Sequence, residues 1–126
     1  MTNSNGPAKG EALTAVEMNQ LVALFTEGRY VELESRARSL VERYPDSGFA
    51  WKVLGACLQA QGKEALSALQ KATQLLPDDG AAHFNLGNTL QDLGQLGGAV
   101  ASYRRALEIK PDYAEAHYNL GNALRD

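Results

Sequence analysis

Small and apolar residues recur at helical spacing along most of this chain. His83, Leu86, Gly87 and Leu90 are related as i, i+3, i+4 and i+7, which is one stripe of an α-helix. Ala99, Tyr103 and Ala106 make a matching stripe on the next segment. The pattern predicts helices over 15–27, 30–44, 48–61, 63–76, 80–93, 97–109 and 114–125, with no strand: an all-α chain. Thr14-x-x-Glu17 has the form of a capping box that opens the first helix. Pro45, Pro77 and Pro111 cannot continue a helix and push the residue before them out of the helical region, so they punctuate the segments.

The punctuation is periodic. Pro-Asp pairs stand at Pro45-Asp46, Pro77-Asp78 and Pro111-Asp112, spaced by 32 and then 34 residues. The run His83-Phe84-Asn85-Leu86-Gly87-Asn88 returns 34 residues later as His117-Tyr118-Asn119-Leu120-Gly121-Asn122. Inside each period the residues carry a family resemblance. Segment 80–113 resembles the tetratricopeptide-repeat (TPR) pattern, W-x2-L-G-x2-Y, then A-x3-F, then P. His83 stands in the Trp slot, followed by Leu86, Gly87, Leu90, Ala99, Tyr103, Ala106 and Pro111. Segment 48–79 matches with Trp51, Leu54, Gly55, Leu58, Ala65, Leu69, Ala72 and Pro77. Segment 14–47 is degenerate but in phase: Leu24, Gly28, Ala37, Leu40 and Pro45 fit, whereas Glu17, Gln20 and Leu21 replace Trp, Leu and Gly. Segment 114–126 supplies the first helix of a fourth repeat, with His117, Leu120, Gly121 and Leu124. The resemblance implies an α-solenoid of about three and a half helix-turn-helix repeats in a right-handed superhelix, preceded by a disordered leader over 1–13.

Three departures from the pattern carry expectations. The stretch Gly62 to Ala65 is two residues shorter than its counterpart Gly94 to Ala99, a deficit that a tighter turn or the loss of half a turn of helix can absorb; a tighter connection is predicted, with Trp51 still packed on the Leu69–Ala72 face. Gly97-Gly98 at a helix start predicts a soft spot, because helical glycines cost on the order of 1 kcal/mol each relative to Ala. The last helix has no partner to follow it, so its outer face stays exposed. That suggests a piece of a longer array and self-association through helix 114–126 or through the 48–61 face.

On helix 80–93, Ala81, Asn85, Asn88 and Asp92 fall opposite the core stripe; Glu115, Asn119, Asn122 and Asp126 repeat them on the last helix. Asparagine is a poor residue for a helix interior, so four on one aligned face need a reason. The Asn-Leu-Gly-Asn runs are similar to those of repeats attached to O-linked N-acetylglucosamine transferases. That resemblance implies that Asn85 and Asn119 line a concave groove and grip the main chain of an extended peptide, to which an amide offers both a donor and an acceptor. Asn88 and Asn122 either join that contact or bond between stacked helices. Lys52 is the one cation placed to contribute to a carboxylate clamp, another mode of the family, whose remaining basic residues are missing here. In the second repeat Val53 replaces the groove asparagine, and Phe49, Ala56 and Ala60 share its face, so helix 48–61 is apolar nearly all round.

Composition changes this picture little. The formal net charge is −3, from 12 Lys+Arg and 15 Asp+Glu, and the basic residues are scattered, which argues against a nucleic-acid partner. The segment Met1–Ala12 has no apolar run, hence neither a secretory signal nor a membrane span. With Cys57 as the single cysteine, no disulfide can form within the chain, which suits a cytoplasmic protein. His83 and His117 sit in packing slots with no ligand partner at metal spacing, and Cys57 has no histidine in reach. The sequence therefore predicts a non-enzymatic interaction scaffold for a protein or peptide, with no cofactor or metal. The alternative is the accessory region of a larger glycosyltransferase or sulfotransferase.

Overall fold

The computed structural model describes residues 13–126; of the expected leader, only Leu13 falls within them, and it is buried. Seven helices and no strand are present among the described residues. They are α1 (Ala15–Thr26), α2 (Tyr30–Arg43), α3 (Gly48–Ala60), α4 (Leu66–Leu75), α5 (Gly80–Asp92), α6 (Leu96–Ile109) and α7 (Ala114–Arg125). Each helix packs on the next, and α3 and α7 also touch α5, so consecutive hairpins stack side by side.

Local chemistry sets the ends. The Thr14 hydroxyl accepts from the Glu17 amide while the Glu17 carboxylate accepts from the Thr14 amide, the expected capping box. Ser47 and Asp79 cap α3 and α5 through bonds from the Ala50 and Ala82 amides. Helices α1, α3 and α5 end on Gly28, Gly62 and Gly94, all left-handed with φ near +70°. In each case the glycine amide and the one after it donate back into the last turn, for example Gly94 to Gln91 and Gln95 to Leu90.

Size complementarity fixes how closely the helices of a hairpin approach. A Cβ on Gly87 would stand 2.7 Å from the Tyr103 ring, and one on Gly55 would stand 2.5 Å from Leu69. In the first hairpin the sizes are exchanged. Leu21 occupies the glycine slot on α1 and Ala37 the large-residue slot on α2, and both are buried. The degenerate repeat thus keeps the volume of the pair and reverses which helix supplies it.

The shortened repeat differs from expectation. The connection before α4 is not tighter; it is longer, running from Gln61 to Ala65, whereas Leu93 to Gln95 suffices between α5 and α6. The deficit is taken from the helix: α4 has 10 residues against 14 in α6. Ala65 is the N-cap, with no side-chain bond of its own, and the Glu64 carboxylate takes the Leu66 amide instead. Losing the first turn of α4 leaves its buried positions in phase, because Ala65, Leu69 and Ala72 stay in the core. Trp51 packs against the cluster that contains Ala68 and Leu69. Both Gly97 and Gly98 lie in the first turn of α6, so both bear the helical cost.

Candidate functional site

The first helices of the hairpins, α1, α3 and α5, form one side of a groove of about 490 Å³. Its apolar lining comes mainly from Val22 and Phe25 of α1 and from Phe49, Val53 and Ala56 of α3; Thr26, Lys52, Gln59 and Asn85 are its polar members. Helix α3 can line a groove on this side because its opposite side is closed by Leu54, Gly55 and Leu58 against α4, with Leu69 filling the space over Gly55. The apolar residues that made 48–61 look greasy all round are therefore shared between a core face and a groove face.

The predicted site residues fall into different situations. Asn85 lines the groove, half-buried, and among the described residues its side-chain amide makes no hydrogen bond within the chain. Its carbonyl accepts from Gln59 Nε2 at 3.1 Å, and the same nitrogen is 2.8 Å from the Thr89 hydroxyl, which fixes α5 against α3. Asn119, in the equivalent slot of α7, donates through Nδ2 to Asn88 Oδ1 at 2.9 Å. Asn88 Oδ1 also lies 2.6 Å from the Tyr103 hydroxyl, which has a second acceptor in Gln91 Oε1 at 2.8 Å. Asn88, Asn119 and Tyr103 thus join α5, α6 and α7, and burial pushes the Tyr103 hydroxyl above its ordinary pKa. Asn122 accepts from the Arg125 guanidinium on the exposed side of α7.

Lys52 reaches across to α5, where Nζ is 2.8 Å from Asp79 Oδ2. Burial pushes the Asp79 carboxyl up. The Lys52 hydrogen bond, the Ala82 amide and the Lys52 charge outweigh that and hold it below its ordinary value. The Lys52 ammonium is consequently committed to the N-cap of α5 while its stem borders the groove.

The three residues in the Trp slot share a role that spacing alone did not disclose. Trp51 Nε1 donates to the Pro45 carbonyl at 2.8 Å; His83 Nε2 and His117 Nε2 lie 2.9 and 2.7 Å from the carbonyls of Pro77 and Pro111. A carbonyl only accepts, so Nε2 carries the proton in both histidines. Each ring ties the start of its helix to the proline six residues earlier, rather than sitting deep in the core: His83 is half-buried and His117 exposed. Cys57 is buried on α3, and its thiol lies 3.1 Å from the Tyr30 carbonyl, with burial pushing its pKa up. No group of three His, Cys, Asp or Glu side chains placed to hold a metal occurs among the described residues. No helix among them is long and apolar enough to cross a membrane.

Sequence reasoning singled out Phe49, Val53 and Ala56 but missed Val22, Phe25 and Gln59. The signal for Val22 and Phe25 was present as apolar residues each one position after a buried leucine of α1, Leu21 and Leu24.

Stacked two-helix hairpins with a groove along their first helices define an α-solenoid built from a repeated unit. Residues 87–125 match the family model described as TPR repeat. The fold is similar to the first TPR of Spaghetti (RPAP3), solved bound to an HSP90 peptide, with a TM-score of 0.82 at 21% identity over 87% of this chain and 89% of that one. It is also similar to the Yersinia enterocolitica type III secretion chaperone SycD, in complex with a peptide of the translocator YopD. There the TM-score is 0.74 at 19% identity, over 87% of this chain and 88% of that one. The O-GlcNAc transferase of Thermobaculum terrenum aligns at 30% identity with a TM-score of 0.77 over 90% of this chain, which spans 23% of the transferase. No curated protein sequence matches the chain significantly.

Proposed function

We propose that this chain is an interaction scaffold that holds an extended peptide along the first-helix groove. The observation that carries the reading is an apolar trough, Val22, Phe25, Phe49, Val53 and Ala56, bordered by the side-chain amide of Asn85, which makes no hydrogen bond among the described residues. An apolar side chain of the ligand fills the trough, and the Asn85 amide offers a donor and an acceptor to one peptide unit beside it. Asn119 and Asn88 extend the polar face toward α7 with the amide atoms their mutual bond leaves over; Asn122 and the stem of Lys52 border the site. Two fold neighbours solved with bound peptides support this use of the architecture.

The test is a peptide library screened by fluorescence anisotropy, with the best binders carried into titrations. Val53→Glu should abolish binding, since it places a charge in the trough. Asn85→Ala should cost about 0.5–1.5 kcal/mol by a similar amount for unrelated peptides, as expected for one net hydrogen bond to main chain. Full binding by Val53→Glu, or an Asn85 effect confined to one peptide sequence, would refute the reading. A second role, as the accessory region of a larger glycosyltransferase or sulfotransferase, is supported by the 30% identity to the Thermobaculum terrenum enzyme. In that setting the same groove would deliver substrate segments to a catalytic domain.

A further inference from the structure

The charges around the groove cancel before any ligand arrives. Among the described residues that line it, Lys52 is the one cation and none is an anion. The Lys52 ammonium is not free to meet a ligand: Nζ is 2.8 Å from Asp79 Oδ2, and the two side chains are only 25% and 26% exposed. The other carboxylate oxygen, Oδ1, accepts from the Ala82 amide at 3.0 Å, so Asp79 is engaged through both oxygens. A ligand carboxylate entering the trough would meet Val22, Phe25, Phe49, Val53 and Ala56, with no unpaired cation beside them. To take Lys52 it would have to leave the largely buried Asp79 charge without its partner, which is costly. A ligand ammonium fares no better, since Asp79 is already neutralised and Thr26, Gln59 and Asn85 carry no charge.

We propose that the groove selects an uncharged, bulky apolar side chain, such as Leu or Phe, from within a peptide segment, and that Asp79 sets this choice by holding Lys52 away from the ligand. Such selection rests on the groove being a peptide site, as proposed above, and adds which segments it takes. A groove of about 490 Å³ with two lining rings, Phe25 and Phe49, suits a large side chain. Lys52 is the lever because of where it stands on α3. It lies about one turn from both Phe49 and Ala56, with a stem that borders the trough and an ammonium tied to the next hairpin. Without the Asp79 charge, that flexible stem can turn the ammonium into the groove, and the preference shifts toward acidic side chains. Asp79 itself touches no ligand; it positions Lys52.

The test is a set of fluorescein-labelled nonapeptide amides, with Leu, Phe, Glu or Lys at the centre and uncharged polar flanks, titrated with the full chain by anisotropy. The wild-type chain should bind the Leu and Phe pools at least about tenfold more tightly than the Glu and Lys pools. Asp79→Asn keeps the N-cap bond, because Asn caps as well as Asp, and circular dichroism should show the fold unchanged. It should raise affinity for the Glu pool about tenfold, as a charge-assisted hydrogen bond does, and leave the Leu and Phe pools within about twofold. Adding Lys52→Met should abolish that gain. A Glu pool that gains nothing from Asp79→Asn, or a gain that survives Lys52→Met, overturns the role of Asp79. A wild-type chain that binds the Glu or Lys pool as tightly as the Leu pool overturns the selection. Either result leaves the groove standing as a peptide site. Leu-pool binding that ignores Val53→Glu, or no binding of any pool by the wild type, refutes the peptide site and the selection with it.

Discussion

Gly87 and Gly121 hold the same slot one repeat apart, and alanine in the two places should act in opposite directions. Alanine is a better helix residue than glycine by roughly 0.8–1 kcal/mol. At Gly121 nothing among the described residues opposes that gain, because none of their atoms lies within 4 Å of the new methyl position. At Gly87 the methyl would meet Tyr103 Cε1 at 2.7 Å, Cδ1 at 2.8 Å and Cζ at 3.1 Å. That ring cannot swing aside: it is fully buried, its hydroxyl is held by Asn88 and Gln91, and the Phe84 ring centroid lies 6.0 Å away. Forcing a methyl into such a site costs about 1–3 kcal/mol. Gly121→Ala should therefore stabilise by up to ~1 kcal/mol and Gly87→Ala destabilise by about 0–2 kcal/mol, a difference of about 1–3 kcal/mol between matched substitutions. Urea unfolding followed by far-ultraviolet circular dichroism measures it. Hydrogen exchange of the α7 amides should show the Gly121 gain locally, since repeat arrays open repeat by repeat. If Gly87→Ala proves as stable as Gly121→Ala, the Tyr103 ring does not set the helix separation.

Three further outcomes are expected. Glu34 accepts from Lys63, Arg38 and Gln61, in that order of effect, and its carboxyl is held from 4.5 down to about 2. Its contribution is complete above its unfolded value and lost as pH falls from about 4.5 through about 2. Glu34→Gln should flatten the acid limb of the stability profile there, and parallel limbs would dismiss the idea. Gly97→Ala should raise stability by roughly 0.5–1 kcal/mol in urea titrations, the position being open, whereas Gly98→Ala should gain less because Leu90 Cδ1 stands 3.2 Å from its methyl; equal gains would show that Leu90 yields freely. Asp79→Ala removes the N-cap bond to Ala82 and leaves Lys52 unpaired, so a loss of about 1–2 kcal/mol is expected, with an unaltered unfolding midpoint as the contrary result.

The helices, their proline breaks and the capping box were legible because each depends on residues within one turn of one another. The pairing of Gly87 with Tyr103 was legible only as a rule about small residues; the ring itself had to be placed. Periodicity also measured the deficit before α4 correctly and misassigned where it falls. A repeat length constrains the sum of loop and helix, and Ala65, lacking a cap, allows the helix to start later. The asparagines show the limit most plainly. Asn85 and Asn119 are indistinguishable by slot, yet among the described residues the side chain of one makes no hydrogen bond on the groove and that of the other is tied to Asn88. The difference lies in a contact between residues 31 positions apart, which stripe projection on a single helix does not contain. The bond from Trp51, His83 and His117 to a proline carbonyl was hidden for a plainer reason, since the spacing of the Trp slot marks a packing position and carries no trace of what its ring nitrogen meets.

The long-range ion pairs among the described residues sit at the seams between hairpins. Glu34 of α2 meets Lys63 beyond α3, Lys52 of α3 meets Asp79 at the head of α5, and Arg105 of α6 meets Asp78 in the turn ahead of α5. A solenoid behaves as a coiled spring whose pitch is set at such joints, and its stiffness is the sum of what resists bending at each one. Here part of that resistance is electrostatic and partly exposed, so dissolved salt weakens it. Lowering ionic strength should tighten the spring and narrow the range of curvatures the groove explores; raising it should let the trough flex open. The elasticity of this molecule should then respond to the solvent without a residue being altered.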